Sequence, residues 1–161
     1  MSRIRRVGSI NRFNIVLISS GLKELYQAKL EYYSANFLNL KEVSMQKASQ
    51  ILKDVLSLEA NSILESITKL SEAECHKLEG FFQNLVENQG SLFFVGVGKS
   101  GHVGVKLAST FSSLGLKSFF LHPTEALHGD LGRVGEHDGL VAISYSGHSE
   151  EVTKFLSFCK V

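Results

Sequence analysis

SLFFVGVGKSGHVG, residues 91–104, passes from one kind of backbone to another within a few residues. Ser91–Val95 reads as a buried strand, an apolar run rich in aromatic residues. It stops at Gly96-Val97-Gly98-Lys99-Ser100-Gly101, after which Val103–Leu114 carries the spacing of a helix. Outward from this turn the alternation repeats. Lys117–Leu121 and Leu140–Ser144 read as second and third strands, and Glu150–Phe158 as the helix after the third. Strands alternating with helices of this length require crossover connections, hence an α/β chain with a parallel sheet between two layers of helices. Eleven of the fourteen glycines fall between Gly90 and Gly147, consistent with tight turns between short elements. In such sheets ligands lie beyond the carboxyl ends of the strands, so the loops at 96–101, 122–132 and 144–150 are expected to converge on one site.

Upstream the texture is helical. Ile51, Val55, Leu58, Ile63, Ile67 and Leu70 form an apolar stripe over about 48–70, and Ser71 with Glu74 reads as a capping box opening a second helix. Leu22, Tyr26, Leu30 and Tyr33 suggest a further helix over 22–38. Residues 1–44 carry seven basic and three acidic residues, against ten basic and thirteen acidic in 45–161. Their arginines before Ile15–Ile18 resemble a targeting segment, but the apolar stretch is short and no small-residue cleavage site follows. A transit peptide is a second reading. The preferred expectation is an N-terminal extension over 1–44, with Met45 as the start of the domain at 45–161. The near-neutral balance of +1 argues against nucleic acid as the main partner. No apolar run reaches the roughly 18 residues a membrane span needs. Cys75 and Cys159 lack metal-ligand spacing and read as idle thiols in a reducing compartment.

Two loops carry the chemistry. Gly96–Gly101 satisfies G-x-G-x-x-G, but the acid that would hold a ribose hydroxyl about 20 residues on is missing, because Phe119–His122 stands there. A triphosphate P-loop would need glycine where Phe93 stands. What survives is a glycine turn at a helix start beside Lys99, either an anion site or simply a tight turn. Ser144-Tyr145-Ser146-Gly147-His148-Ser149 places three hydroxyls between a strand and a helix, either a phosphate cradle or a cap and turn. Glu150 and Glu151 follow as first-turn acids or as a carboxylate beside a bound sugar phosphate.

Together GVGKSGHVG, FFLHPTEALHGDLG and ISYSGHSEEV resemble the sugar isomerase (SIS) domain, and more narrowly the arabinose-5-phosphate isomerase family, over residues 48–161. The resemblance implies a flavodoxin-like fold with a helical segment before it, and interconversion of D-ribulose 5-phosphate and D-arabinose 5-phosphate. That reaction stands at the entry to 3-deoxy-D-manno-octulosonate and lipopolysaccharide synthesis. It implies a cytoplasmic homo-oligomer acting on a pentose 5-phosphate, with no required cofactor. Lys99 and Glu151 match the family's catalytic positions. Ser100, Ser144, Ser146, Gly147 and Ser149 match phosphate-holding positions, Gly115 falls at a further substrate contact, and His122 and His128 match substrate-facing histidines. His122 also matches a residue that binds zinc in some members. Tyr145 and His148 depart from the more usual Asn and Glu. The family's further strands, second carboxylate, further histidine and CBS domains lie beyond Val161, so residues 45–161 resemble part of an SIS domain.

Aldose–ketose isomerisation moves a proton between C1 and C2 through an enediolate, which requires a base and a group that stabilises the oxyanion. Glu151 is the candidate base, and Lys99 or a histidine the electrophile. A carboxylate at a helix N-terminus is a weak base unless desolvated, so a group outside these residues is an alternative base. His122 and His128, with Glu125 and Asp130, suit either a metal or hydrogen bonds to sugar hydroxyls. His76 and His137 read as solvated. A non-catalytic phosphosugar sensor and an inactive fragment remain competing readings. The sensor needs the serines but neither Lys99 nor Glu151.

Overall fold

The computed structural model of the chain describes residues 3–10, 13–19, 31, 45–68 and 70–159. They belong to two units, one from residues 22–71 and Met1, the other from 2–21 and 72–161. In the first, helix α1 spans Met45–Thr68. Its expected stripe splits: Ile51 is buried and Val55 and Leu58 half-buried, whereas Ile63, Ile67 and Leu70 are exposed. The helix expected over 22–38 lies, apart from Glu31, outside the described residues.

The second unit holds β1 (Arg3–Ile10), β2 (Phe13–Ser19), α2 (Glu72–Glu87), β3 (Leu92–Val95), α3 (Gly98–Ser113), β4 (Ser118–Leu121), α4 (Pro123–Leu127), a 3₁₀ turn (Asp130–Arg133), β5 (Gly139–Ser144) and α5 (Glu150–Phe158). The strands form one sheet in the order β1-β2-β5-β3-β4. β2, β5, β3 and β4 run parallel, and β1 joins β2 antiparallel. The parallel sheet expected from the alternation is therefore present, with five strands rather than the three read from residues 91–144. The two extra strands come from the segment read as an extension. A four-residue apolar run is ambiguous by itself. Asn11-Arg12 between the strands is not the Asn-Gly or Asp-Gly that announces a tight hairpin.

Helices cover both faces. Phe93, Val95, Leu140 and Ala142 pack with Ala126 of α4 and with Val152, Phe155 and Leu156 of α5. Leu92, Phe94 and Val141 turn to the other side, against Phe81 and Leu85 of α2 and Ala108 of α3. Alternating strand residues thus feed two different cores, which is why these strands read as unbroken apolar runs. At Gly104 of α3 an added Cβ would stand 3.0 Å from the Phe120 ring, so the helix lies close on β4 because no side chain intervenes. At the amino end of the sheet, the Asp138 carboxylate accepts the backbone N–H of Ser91 at 2.6 Å and of Gly135 at 2.7 Å.

Cys159 is fully buried and Cys75 exposed. Burial pushes the Cys159 thiol from 9.0 up to about 11. The folded chain then holds this proton where the unfolded chain releases it. The resulting stability is intact below pH 9 and is lost as pH rises through about 11. A thiol reagent at neutral pH should titrate Cys75 in the native protein and both cysteines only after denaturation. Gly104→Val should overpack the α3–β4 contact and cost about 1–3 kcal/mol in a denaturant melt.

Candidate functional site

The carboxyl ends of β3, β4 and β5 share one edge of the sheet, since the three strands are parallel neighbours. Two helices begin there. After β3 the chain turns through Gly96 and Val97 and enters α3 at Gly98, whose φ of +55° favours glycine. Val97 stands at the cap position and makes no side-chain cap bond. After β5 the chain enters α5 with Ser149 at the cap position, and that hydroxyl likewise makes no cap bond. Two helix N-termini after neighbouring strands therefore lack a bond from the side chain of their cap residue, on the positive ends of their dipoles. An anion suits such a place.

The serine loop is held by its own hydroxyls. Ser144 Oγ accepts the Gly147 N–H at 3.0 Å and lies 3.0 Å from Ser149 Oγ, while Ser146 Oγ accepts the His148 N–H at 3.1 Å. Gly147 has φ +70°, a left-handed conformation that favours glycine. Ser144 is 2% exposed, Ser149 half-buried and Ser146 exposed. On the first loop Lys99 is exposed and Ser100 half-buried, both in the opening turn of α3. Glu151 lies exposed in the first turn of α5.

The segment expected as a plain loop over 122–132 contains α4 and the 3₁₀ turn. His122 caps α4, its Nδ1 accepting the Thr124 N–H at 3.3 Å. Its ring meets Phe120 edge-on at 6.4 Å between centroids. Thr124 is not among the expected site residues, although His-Pro at a helix start is a readable signal of a cap followed by proline at the first helical position. His128 stands exposed at the carboxyl end of α4.

These residues do not fit a zinc cage. One His122 nitrogen already serves the cap, and Asp130 lies 3.7 Å from the Arg133 guanidinium. Among the described residues no three His, Cys, Asp or Glu side chains gather where they would hold a metal.

Gly115 is not brought to this edge. It follows α3 with φ +91°, and its N–H and that of Leu116 bond back to Ser112 and Phe111. It therefore ends the helix just before β4 begins, at the amino end of the sheet.

Residues 85–161 match the family described as the SIS domain. This part, just under half of the chain, is similar to the SIS domain. Arabinose 5-phosphate isomerase KdsD of Escherichia coli K12 is 41% identical over 108 residues, 67% of this chain and 32% of the relative. The protein of the same name from Shigella flexneri matches with the same figures. An Escherichia coli CFT073 protein solved in complex with arabinose 5-phosphate superposes with a TM-score of 0.66 at 36% identity, over 73% of this chain and 61% of that one. The chain thus spans about a third of the length of these curated relatives. The fold and the SIS assignment agree with the resemblance read from the loop motifs. Among the described residues no helix is long and apolar enough to cross a membrane.

Gly147→Val in the SIS loop should strain the backbone by about 1–2 kcal/mol, because a side chain is forced into a left-handed conformation. Hydrogen exchange should quicken across residues 145–149 and stay unchanged through the centre of α3.

Proposed function

We propose that this SIS domain binds a pentose 5-phosphate, with the phosphate at the first turns of α3 and α5, and serves interconversion of D-ribulose 5-phosphate and D-arabinose 5-phosphate. The observation that carries this reading is the pair of helix N-termini on adjacent strands, neither closed by a side-chain cap. A phosphate dianion accepts several N–H bonds at once and gains from both dipoles. Ser100, Ser146 and Ser149 add hydroxyl donors, and Lys99 adds a cation that can swing toward the ligand. The relatives named for arabinose 5-phosphate isomerisation support the choice of sugar.

With the phosphate anchored, binding energy is available to hold C1 and C2 against the reacting groups. Glu151 takes the proton in this reading, and Lys99 or His122 stabilises the enediolate oxygen. With Nδ1 committed to the Thr124 N–H, neutral His122 carries its proton on Nε2 and donates to a sugar oxygen. No step needs a metal. Glu151 is exposed to solvent, whereas proton abstraction from a bound sugar is helped by excluding water. That single feature favours a second reading, a phosphosugar sensor that uses the cradle without turnover.

Hydrogen exchange tests the binding. D-arabinose 5-phosphate should protect amides of residues 98–101 and 144–149, and NAD should not. Protection by NAD, or none by any sugar phosphate, overturns the site. Turnover separates the two readings. Lys99→Ala and Glu151→Gln should each lower kcat/KM by about 10²–10⁴-fold for an isomerase. In a sensor Glu151→Gln leaves affinity unchanged and there is no turnover to lose.

A further inference from the structure

β5 has a neighbour on each side, but the two do not reach equally far. β3 pairs with it from Gly139 to Ala142, where Val95 ends the strand. Ile143 and Ser144 lie beyond that point, and the strand that pairs with them is β2, through Ile18 and Ser19. These are the last residues of β5 before the serine loop. The end of β5 is therefore held in the ladder from one side, by a segment from the N-terminal end of the sequence.

The sequence makes that pairing specific. Asn14-Ile15-Val16-Leu17-Ile18-Ser19 lies in register with Gly139-Leu140-Val141-Ala142-Ile143-Ser144. In both strands four apolar residues stand between a serine at one end and a glycine or asparagine at the other. A slip of one residue would set an apolar position against Asn14 or Ser19, so the match fixes the register. The hairpin also divides its charge. Phe13–Ser19, the inner strand, carries none, whereas Arg3, Arg5 and Arg6 stand on the outer one. Charge on an outermost strand discourages further pairing, so β1 ends the sheet and β2 closes it against β5.

We propose that β2 is a positioning element for the site, with Ile18 its key register position. It fixes the last two residues of β5, and with them the point from which residues 145–149 depart. Residues 3–19 then belong to the working domain rather than to an extension before it. The consequence for a sugar phosphate rests on the proposed function, while the pairing does not depend on it. Without β2 the end of β5 has no ladder partner on that side. Order missing in the free protein must then be supplied on binding, which lowers affinity.

Hydrogen exchange on the wild-type chain tests the pairing without ligand. Consecutive N–H groups of a strand address opposite neighbours, so one of the Ile143 and Ser144 amides faces β2. That amide should exchange as slowly as those of Val141 and Ala142, and free exchange at both overturns the proposal. Leu17→Pro with Ile18→Pro removes one donor toward β5 and one toward β1. The pair should quicken exchange across residues 143–149, leave Phe93–Val95 slow, and weaken D-arabinose 5-phosphate binding about tenfold by calorimetry. Leu17→Ile with Ile18→Val keeps both donors and should retain wild-type affinity. Should the prolines unfold the sheet, Ile18→Gly, which only weakens the strand, should shift exchange and affinity in the same direction. Quickened exchange at 143–149 with unchanged affinity overturns the positioning role. A wild-type chain that binds no sugar phosphate overturns the proposed function, and exchange at 143–149 then decides the role of β2 by itself.

Discussion

β3 and β5 lie side by side with helices on both faces, and nearly every side chain they carry is committed to one core or the other. A strand buried in this way offers solvent only its two ends. The connections then have little choice. They cross over the faces as helices, return to the sheet at its amino edge and leave each strand at the carboxyl edge, where turns and helix starts collect. Backbone groups that the sheet leaves unpaired collect there too. The chemistry of the molecule follows from having no other place for polar groups to go.

That edge is stabilised less than it might be. A serine cap at each of α3 and α5 would contribute about 1 kcal/mol, and neither helix has one. At α3 the position is held by Val97, which cannot cap. At α5 it is held by Ser149, which can but is turned elsewhere. Similar restraint shows in the glycines. Gly98 and Gly147 hold left-handed conformations that ordinary side chains resist. Gly104 keeps α3 close to the sheet, so the helix start is carried by a rigid contact with Phe120. Stability is withheld at the loop ends and supplied by the packing behind them.

Much of the fold was legible because two-sided burial writes itself plainly. Ser91–Val95 and Leu140–Ser144 read as strands from apolar runs alone, each within a residue of β3 and β5, and the α5 bounds Glu150–Phe158 agree with the helix expected there. The misses have separate causes. β1 and β2 lie far in sequence from β5, so no local pattern announces their pairing. α4 has five residues, too few for any periodicity to show, and its cap is a histidine rather than one of the usual short polar residues. Of the site, the identity of the loops was readable and their inner order was not. Ser144, Ser146 and Ser149 look equivalent in a string of letters. Only the three-dimensional arrangement buries one, exposes another and turns the third. Gly115 shows the reverse case. A resemblance pointed to the substrate, while the fold gives this glycine work of its own as the end of a helix.

Asp138 sits at the far end of the sheet from all of this, yet it bears on where the hydroxyls land. Its carboxylate joins the residue before β3 to the turn before β5, beside the point where Leu92 and Gly139 face each other. A slip of one residue between the two strands would exchange their inner and outer faces, sending Phe93 and Val95 into the wrong layer. It would also move Ser144 out of its enclosed position and break its hydrogen bonds to Gly147 and Ser149. β5 is six residues long, so the pin and the hydroxyl it governs are about 20 Å apart. The strand between them works as a ruler: a carboxylate sets its zero mark, and the serine is read off at the other end.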